Sequence, residues 1–427
     1  MQTIAVVSEH ASPLAALGGV DSGGQNLYVA HVARGLAHLG HRVDIYTRLD
    51  NPGLPAQLDW YDNVRIIHVP AGPAIALPKE SLLPHMKAFG QYMQNYVRDH
   101  GIDYDVIHAN FFMSAMAALP LARMSGTPLA VTFHALGKVR RMHQSQNDHF
   151  SDHRFAIEEE IVRHADCIIA ECPQDRQDLI DLYEADPRHI KMVPCGYDPD
   201  ELAPMDKQKA RQVLGWDPSA YYILQLGRMV PRKGIDTVIR ALSRLRDVHK
   251  IDARLCVVGG NLSDVNLADI DEYERLSAIA VEMQVDRWVN FAGSRARHEL
   301  SRYYGASDVF VTTPWYEPFG ITPLEAMACE RPVIGSNTGG IKYTIVDGKT
   351  GFLVPPRNPD ATAEKLAILA QAPELAQTMG RAGARRAQRM FTWQQVSMQL
   401  SGIFQELGSQ AAMPYGYARS LDAPAIH

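Results

Sequence analysis

"LGGVDSGGQNLYVAHVARGL", residues 17–36, is the stretch on which the fold turns. Asp21-Ser22-Gly23-Gly24 copies the letters around a serine-protease nucleophile, but the flanks point elsewhere. Upstream, "TIAVVSE" (3–9) opens with a short β-rich apolar run. Downstream, Tyr28, Val32, Leu36 and Leu39 recur at helical spacing until Gly40. Strand, glycine loop, helix is the order of a phosphate-holding turn. Glycines let backbone N–H groups approach an anion, and the helix beyond adds unsatisfied donors and a positive dipole end. A nucleophilic Ser22 would need a base and an oxyanion site that spacing here does not supply, so it reads as framework.

Outward from this turn the same grammar continues. β-rich runs at "RVDIYTR" (42–48), "VRIIHVP" (64–70), "DVIHAN" (105–110), "PLAVTFH" (128–134), "CIIAEC" (167–172) and "IKMVPCG" (190–196) are separated by segments long enough for helices. The pattern pauses at "YDPDELAPMDKQKARQVLGWDPSA" (197–220), rich in turn formers, prolines and charges, where the linker is placed. It resumes with "YYILQLGRMV" (221–230), "RLCVVGG", "WVNFAG", "VFVTT", "PVIGS" and "GFLVPP", broken by helical stretches such as "DTVIRALSRLR". The expectation is an α/β chain of two doubly wound domains, 1–198 and 199–390, followed by an amphipathic helix at 391–408 and an aperiodic tail at 409–427. Ligands of such sheets sit beyond the carboxyl ends of the strands, so two facing sheets define a shared cleft.

The bulk numbers agree. A length of 427 residues suits about two domains. A net charge of −6, from 42 basic and 48 acidic residues, excludes the basic footprint of a dedicated nucleic-acid binder. Five scattered cysteines (Cys167, Cys172, Cys195, Cys256, Cys329) form neither a disulfide framework nor a zinc motif. "MQTIAVVSEH" enters a strand without a basic leader and no apolar run approaches a membrane span, so a cytoplasmic protein is expected.

Candidate chemistry sits in two loops. In "LQLGRMVPRKGIDTVI" (224–239), Arg228 follows a strand at once and Lys233 lies just before a helix. Cations there suit a leaving group whose negative charge grows as its bond breaks. In "TTPWYEPFGITPLEAMACERPVIGS" (312–336), Pro318, Gly320 and Pro323 make a loop between Glu317 and Glu325. Its carboxylates suit sugar and ribose hydroxyls, and the N–H groups of Gly320, Ile321 and Thr322 suit phosphate oxygens. "DYD" (103–105) invites a metal reading but precedes a strand as a turn, so no metal is expected.

Arg228 with Lys233, then E-P-F-G-I-T-P-L-E at 317–325 and "PVIGSNTGGIKYTIVDGKTGFLVPP" (332–356), resemble the retaining, nucleotide-sugar-dependent glycosyltransferases of the GT-B fold. The resemblance implies two facing Rossmann-like domains. It also implies Glu317 on the donor sugar, Glu325 on the ribose, Arg228 and Lys233 on the diphosphate, and Phe319 to Thr322 beside them. Gly19 would approach the diphosphate, and His134 in "VTFHALGK" would lie beside the donor sugar, where a neutral imidazole can bond a hydroxyl. Such enzymes need no carboxylate-bound metal and no cofactor beyond the sugar nucleotide, and they send a C-terminal helix back to the first domain.

For the acceptor, Pro78-Lys79-Glu80 resembles the P-K-E or R-K-E segment of sucrose synthases, sucrose-phosphate synthases and inositol-phosphate glycosyltransferases, making Lys79 a candidate phosphate contact. "GKVRRMHQ" (137–144), with Lys138, and Arg154 place charge where those enzymes hold basic contacts. The opening loop carries features of both groups: D-S-G-G-Q through Gln25 is similar to the sucrose-forming enzymes, and Asn26 to the inositol-phosphate enzymes. "HANFF" (108–112) departs from their H-x-H-Y at Asn110 and Phe111. The favoured reading is glucose transfer from UDP-glucose to fructose 6-phosphate. Inositol phosphate, a lipid or polysaccharide acceptor reached from the membrane surface near "LLPHMKAFGQYM", and a non-catalytic sugar-nucleotide binder stay open as alternatives. The base of the nucleotide, the oligomeric state and the role of the tail are not specified by the letters.

Overall fold

The computed structural model describes residues 1–15, 23–144, 150–260 and 267–411. The first lobe is built on an eight-stranded sheet in the order β3-β4-β2-β1-β5-β6-β7-β8. Its strands are β1 (Thr3–Val7), β2 (Arg42–Arg48), β3 (Gln57–Tyr61), β4 (Val64–Val69), β5 (Val106–Asn110), β6 (Leu129–Thr132), β7 (Cys167–Ala170) and β8 (Ile190–Met192). The second lobe carries a six-stranded sheet, β11-β10-β9-β12-β13-β14. Here β9 is Tyr221–Leu226, β10 Ala253–Val258, β11 Val289–Gly293, β12 Val309–Thr312, β13 Val333–Ser336 and β14 Gly351–Val354. Every pairing is parallel except β3 with β4.

Alternation places each strand's side chains in two cores. Ala5 and Val7 pack on one face of the first sheet and Ile4 and Val6 on the other, and Ile223 and Leu224 divide the second sheet likewise. Helices cover these faces. In the first lobe they are α1 (Gly24–His38), α2 (Met86–His100), α3 (Phe112–Ser125), α4 (Gly137–Gln144), α5 (His153–His164) and α6 (Pro173–Tyr183). In the second they are α7 (Lys207–Leu214), α8 (Ile235–Asp247), α9 (Leu267–Glu282), α10 (Arg297–Ala306), α11 (Ile321–Ala328), α12 (Ile341–Thr344), α13 (Pro359–Gln371) and α14 (Pro373–Met390).

Two elements escape the sequence reading. Strand β3 pairs as an edge hairpin with β4 through Asp62 and Asn63, the latter at φ 61°. The stretch expected as linker holds α7, capped by Asp206 Oδ1 accepting from Lys209 N at 2.8 Å. Buried Arg211 ties α7 to the second lobe, its Nη2 donating to Asp308 at 2.6 Å.

The chain crosses between lobes twice, and the crossings pair: Tyr197 N donates to Phe391 O at 2.9 Å and Trp393 N to Tyr197 O at 3.1 Å. The last helix, α15 (Trp393–Ala411), then lies on the first lobe. Val396, Leu400 and Phe404 bury beside Tyr28, Val32 and Leu36 of α1, and Gln2 Nε2 donates to Phe404 O at 2.9 Å. Gly35 permits the approach, since a Cβ there would stand 2.0 Å from Ser397 Oγ. Residues 412–427, most of the expected tail, lie outside the described residues.

Candidate functional site

In each sheet the strand order runs outward in opposite directions from a central pair, β1 and β5 in one and β9 and β12 in the other. At such a switch point the two following loops part and leave a crevice. The crevices face each other across a cavity of about 680 Å³. Its lining comes from the carboxyl ends of the strands: His10 and Phe111 from one sheet, Arg228, Gly259, Ser294 and Glu317 from the other.

On the second-lobe wall, the loop after β9 carries Arg228, Arg232 and Lys233, and the loop after β12 carries Glu317. Gly234 lets these loops touch: it sits at φ 66°, and a Cβ there would lie 2.0 Å from Thr313 O. Lys233 Nζ donates to Glu317 Oε2 at 2.7 Å and Arg232 Nη1 at 3.1 Å. Burial pushes the Glu317 carboxyl up, but the charges of Lys233, Arg232 and Arg228 override it and hold the group at about 2. Burial lowers the Lys233 ammonium against the pull of Glu317. The result is an ionised carboxylate held by the cations around it. Arg232 was missed by the sequence reading, although it shares the P-R-K-G turn with Lys233.

Gly320, Ile321 and Thr322 open α11 toward the cavity. Phe319 does not offer its ring: the side chain is buried in the core facing Phe391, so what it presents is main chain. Glu325 is 2% exposed, and both its oxygens are engaged, Oε1 by Arg297 Nη1 and Oε2 by the Tyr304 hydroxyl, each at 2.8 Å.

Between the lobes stands His134, held at φ 57°, a backbone region costing a non-glycine residue about 1 kcal/mol or more. Its Nδ1 lies 3.0 Å from Glu171 Oε1 and its Nε2 3.1 Å from Asn110 Oδ1. Both ring nitrogens therefore have protein partners. Glu171 is buried, which works against its charge, yet His134 and the Cys195 thiol at 3.0 Å hold its pKa below the ordinary value. Its neighbour Asp175 goes the other way, to about 7, through burial and repulsion from Glu171.

On the first-lobe wall, Lys79 and Arg140 line the cavity with Glu80 between them, its Oε1 3.5 Å from Lys79 Nζ and from Arg140 Nη2. Gln25 also lines it, with Nε2 donating to Ser8 Oγ and Asn110 O. Two expected acceptor contacts, Lys138 and Arg154, are corrected, and a third, Asn26, reaches the cavity lining with its amide already engaged. Asn26 spends its amide on the chain, Oδ1 accepting from Gly23 N and Nδ2 donating to Ser12 O, each at 2.9 Å; it caps α1. Lys138 turns away from the cavity, its Nζ on Leu182 O and Glu159. Arg154 is 1% exposed, paired with Glu158 at 2.7 Å and enclosed by Phe111, Phe112 and Phe150. Gly19 lies outside the described residues.

The apolar residues on which a membrane-surface reading depends, Leu82, Met86, Phe89 and Met93, are buried in the first core. Among the described residues no helix is long and apolar enough to cross a membrane.

Comparison with known proteins agrees with this fold. The family model "Glycosyl transferases group 1" matches residues 206–386, and "Glycosyltransferase Family 4" matches 22–201. The D-inositol 3-phosphate glycosyltransferase of Corynebacterium aurimucosum is 34% identical over 99% of this chain and 98% of its own. That of Stackebrandtia nassauensis is 34% identical over 94% and 90%. Among solved structures, the sucrose-phosphate synthase of Thermosynechococcus elongatus superposes with a TM-score of 0.88 at 31% identity, over 96% of this chain and 100% of that one. Anabaena HepE in complex with UDP-glucose shares the fold, with a TM-score of 0.74 at 18% identity over 95% and 100%.

Proposed function

This chain belongs to the group 1 glycosyltransferases, with the GT-B fold, and from that premise we propose that it transfers glucose from UDP-glucose, with retention, to fructose 6-phosphate. The observation that carries this reading is a single cavity with cations on both walls: Arg228, Arg232 and Lys233 on one, Lys79 and Arg140 on the other. One set suits a departing diphosphate and the other a phosphate on the acceptor.

The C1–oxygen bond to the diphosphate breaks while the acceptor hydroxyl oxygen bonds to C1 from the same face, and its proton passes to the departing phosphate oxygen. Arg228 and Lys233 stabilise the charge that grows on that oxygen, more in the transition state than before it. The N–H groups at the start of α11 add to the same effect. Glu317, kept ionised, accepts from a donor-sugar hydroxyl and Glu325 from the ribose. His134, oriented by Glu171, reads a hydroxyl of the sugar. With this much fixed positive charge the reaction needs no metal, so turnover is expected to persist in a chelator.

A second reading, transfer to an inositol phosphate, is favoured by the full-length similarity to enzymes of that name. Both acceptors carry a phosphate that Lys79 and Arg140 would hold. The test is a crossed panel of UDP-, ADP- and GDP-sugars against fructose 6-phosphate, fructose, inositol phosphate and lipid acceptors, scored by released nucleotide and product anomer. An α-linked product from UDP-glucose and fructose 6-phosphate supports the proposal. Turnover with inositol phosphate alone moves it to the second reading, and nucleotide binding without turnover across the panel overturns both.

A further inference from the structure

Arg297, at the first position of α10, joins parts of the molecule that are far apart in sequence. Its Nε donates to Glu201, in the segment that has just crossed between the lobes, and its Nη1 donates to Glu325 on α11 at 2.8 Å. Tyr304, on the same helix, holds the other oxygen of Glu325. The remaining nitrogen, Nη2, is buried without a protein partner, and Arg297 lines the cavity.

Beside Glu201 lie Asp198 and His31 of α1, whose ligand atoms and those of Glu201 fall within 4.8 Å of one another. That trio has the makeup of a cation site, but the guanidinium of Arg297 already supplies the positive charge there. The His31 imidazole is held down at about 3 by burial and by the charges of Arg297 and Arg34. An added cation would meet the same repulsion. Of the trio, Glu201 is taken up by Arg297 itself.

A carboxylate reads a hydroxyl only from a fixed position, and the rigid guanidinium plane of Arg297, tied to Glu201 by one nitrogen, aims another at Glu325. We propose that Arg297 is the positioning residue for ribose recognition: it orients Glu325 toward the ribose hydroxyls of the donor, and Glu201 in turn holds Arg297. This rests on the reading of Glu325 as the ribose contact.

The experiment compares binding of UDP with that of 2′-deoxy-UDP and 3′-deoxy-UDP, by calorimetry, to the wild-type enzyme and to Arg297→Met and Arg297→Lys. A hydrogen bond to a charged group predicts that the wild type prefers UDP to at least one deoxy analogue by about tenfold or more. Arg297→Met is expected to bind the three ligands within about twofold of one another and to raise the donor KM with the acceptor KM unchanged, an asymmetry that general loosening of the fold does not produce. Arg297→Lys is expected to recover part of the preference. If Arg297→Met does not fold, Arg297→Gln, of similar reach but uncharged, is read by the same criterion. A wild type indifferent to the ribose hydroxyls overturns the Glu325 reading and this inference with it. A wild-type preference that survives intact in the folded Met or Gln variant overturns the role of Arg297 alone.

Discussion

At the scale of single residues, Lys233 and Glu317 show how charge type and charge placement differ. Both were legible: a cation just past a strand and a carboxylate in a Pro-Gly loop mark a cleft. Their 2.7 Å pairing was not, because it joins residues in two different loops at a switch point. Lys233→Ala removes the strongest partner of Glu317 and, on the proposed function, a cation for the departing diphosphate. Turnover at saturating substrates is expected to fall about 10²- to 10³-fold, measured as released nucleotide, while the acceptor KM stays near its original value. Arg154 was misread for the opposite reason. Its charge is plain in the sequence, and so is Glu158 four residues on, a spacing that places the two side by side on one helix face. Burial under three phenylalanines completes the pair as a piece of the core. Asn26 carried a comparable signal, standing three residues into a helix where an amide folds back on the N-terminus.

At the scale of elements, α15 is the piece whose register matters most for assembly. Its apolar periodicity is clear in the letters, but the surface that receives it is formed by α1 and the start of β1, nearly the whole chain away. Contact between α1 and α15 is close enough that Gly35 has no room for a methyl group. Gly35→Ala is expected to cost about 1–3 kcal/mol by overpacking, seen as a lower urea midpoint. Adding Ser397→Gly should return part of that loss, because it removes the opposing atoms at the usual helix cost of glycine, about 1 kcal/mol. Phe404→Ala, at a fully buried position, should cost about 3–5 kcal/mol. Strand β3 and helix α7 went unread for related reasons. In "QLDWY" only Leu58 and Trp60 pack, half-buried, against the core, and in "KQKARQVL" only Ala210 and Arg211 are buried, so neither stretch carries a strong apolar pattern.

At the scale of the whole molecule, two buried histidines tie the pH dependence of stability to the clasp between the lobes. His31 stacks on Trp393 with ring centres 5.1 Å apart, and His108 lies 5.3 Å from the Phe404 ring. Burial, followed by the charges of Arg297 and Arg34 for His31 and of His134 for His108, holds each imidazole at about 3, against 6.5 in the ordinary range. The unfolded chain takes up a proton at each imidazole as pH falls below 6.5, and the folded chain does not until about 3. Their contribution to stability is therefore full above pH 6.5 and is lost as pH falls toward 3. Across pH 4 to 6 each histidine adds a slope of about 1.4 kcal/mol per pH unit. Asp175 works against this on its own account: its carboxyl, raised from 3.8 to about 7, loses its favourable contribution as pH rises from the first value through the second. Urea midpoints measured against pH are expected to show the slope at pH 4–6 reduced by that single-histidine amount in His31→Gln, and an unchanged slope would contradict the assignment.

The letters alone determined the architecture of this protein, because period-2 apolar runs separated by helical segments bury themselves best as parallel sheets covered on both faces, and the loops at their carboxyl ends announce a cleft. They also determined which residue types would be found there. Which of those charges line the cavity was decided only by tertiary structure. A side chain's partner is set by distances across loops and lobes, and that geometry separated Lys233 and Lys79 on the cavity walls from Lys138 and Arg154 behind them.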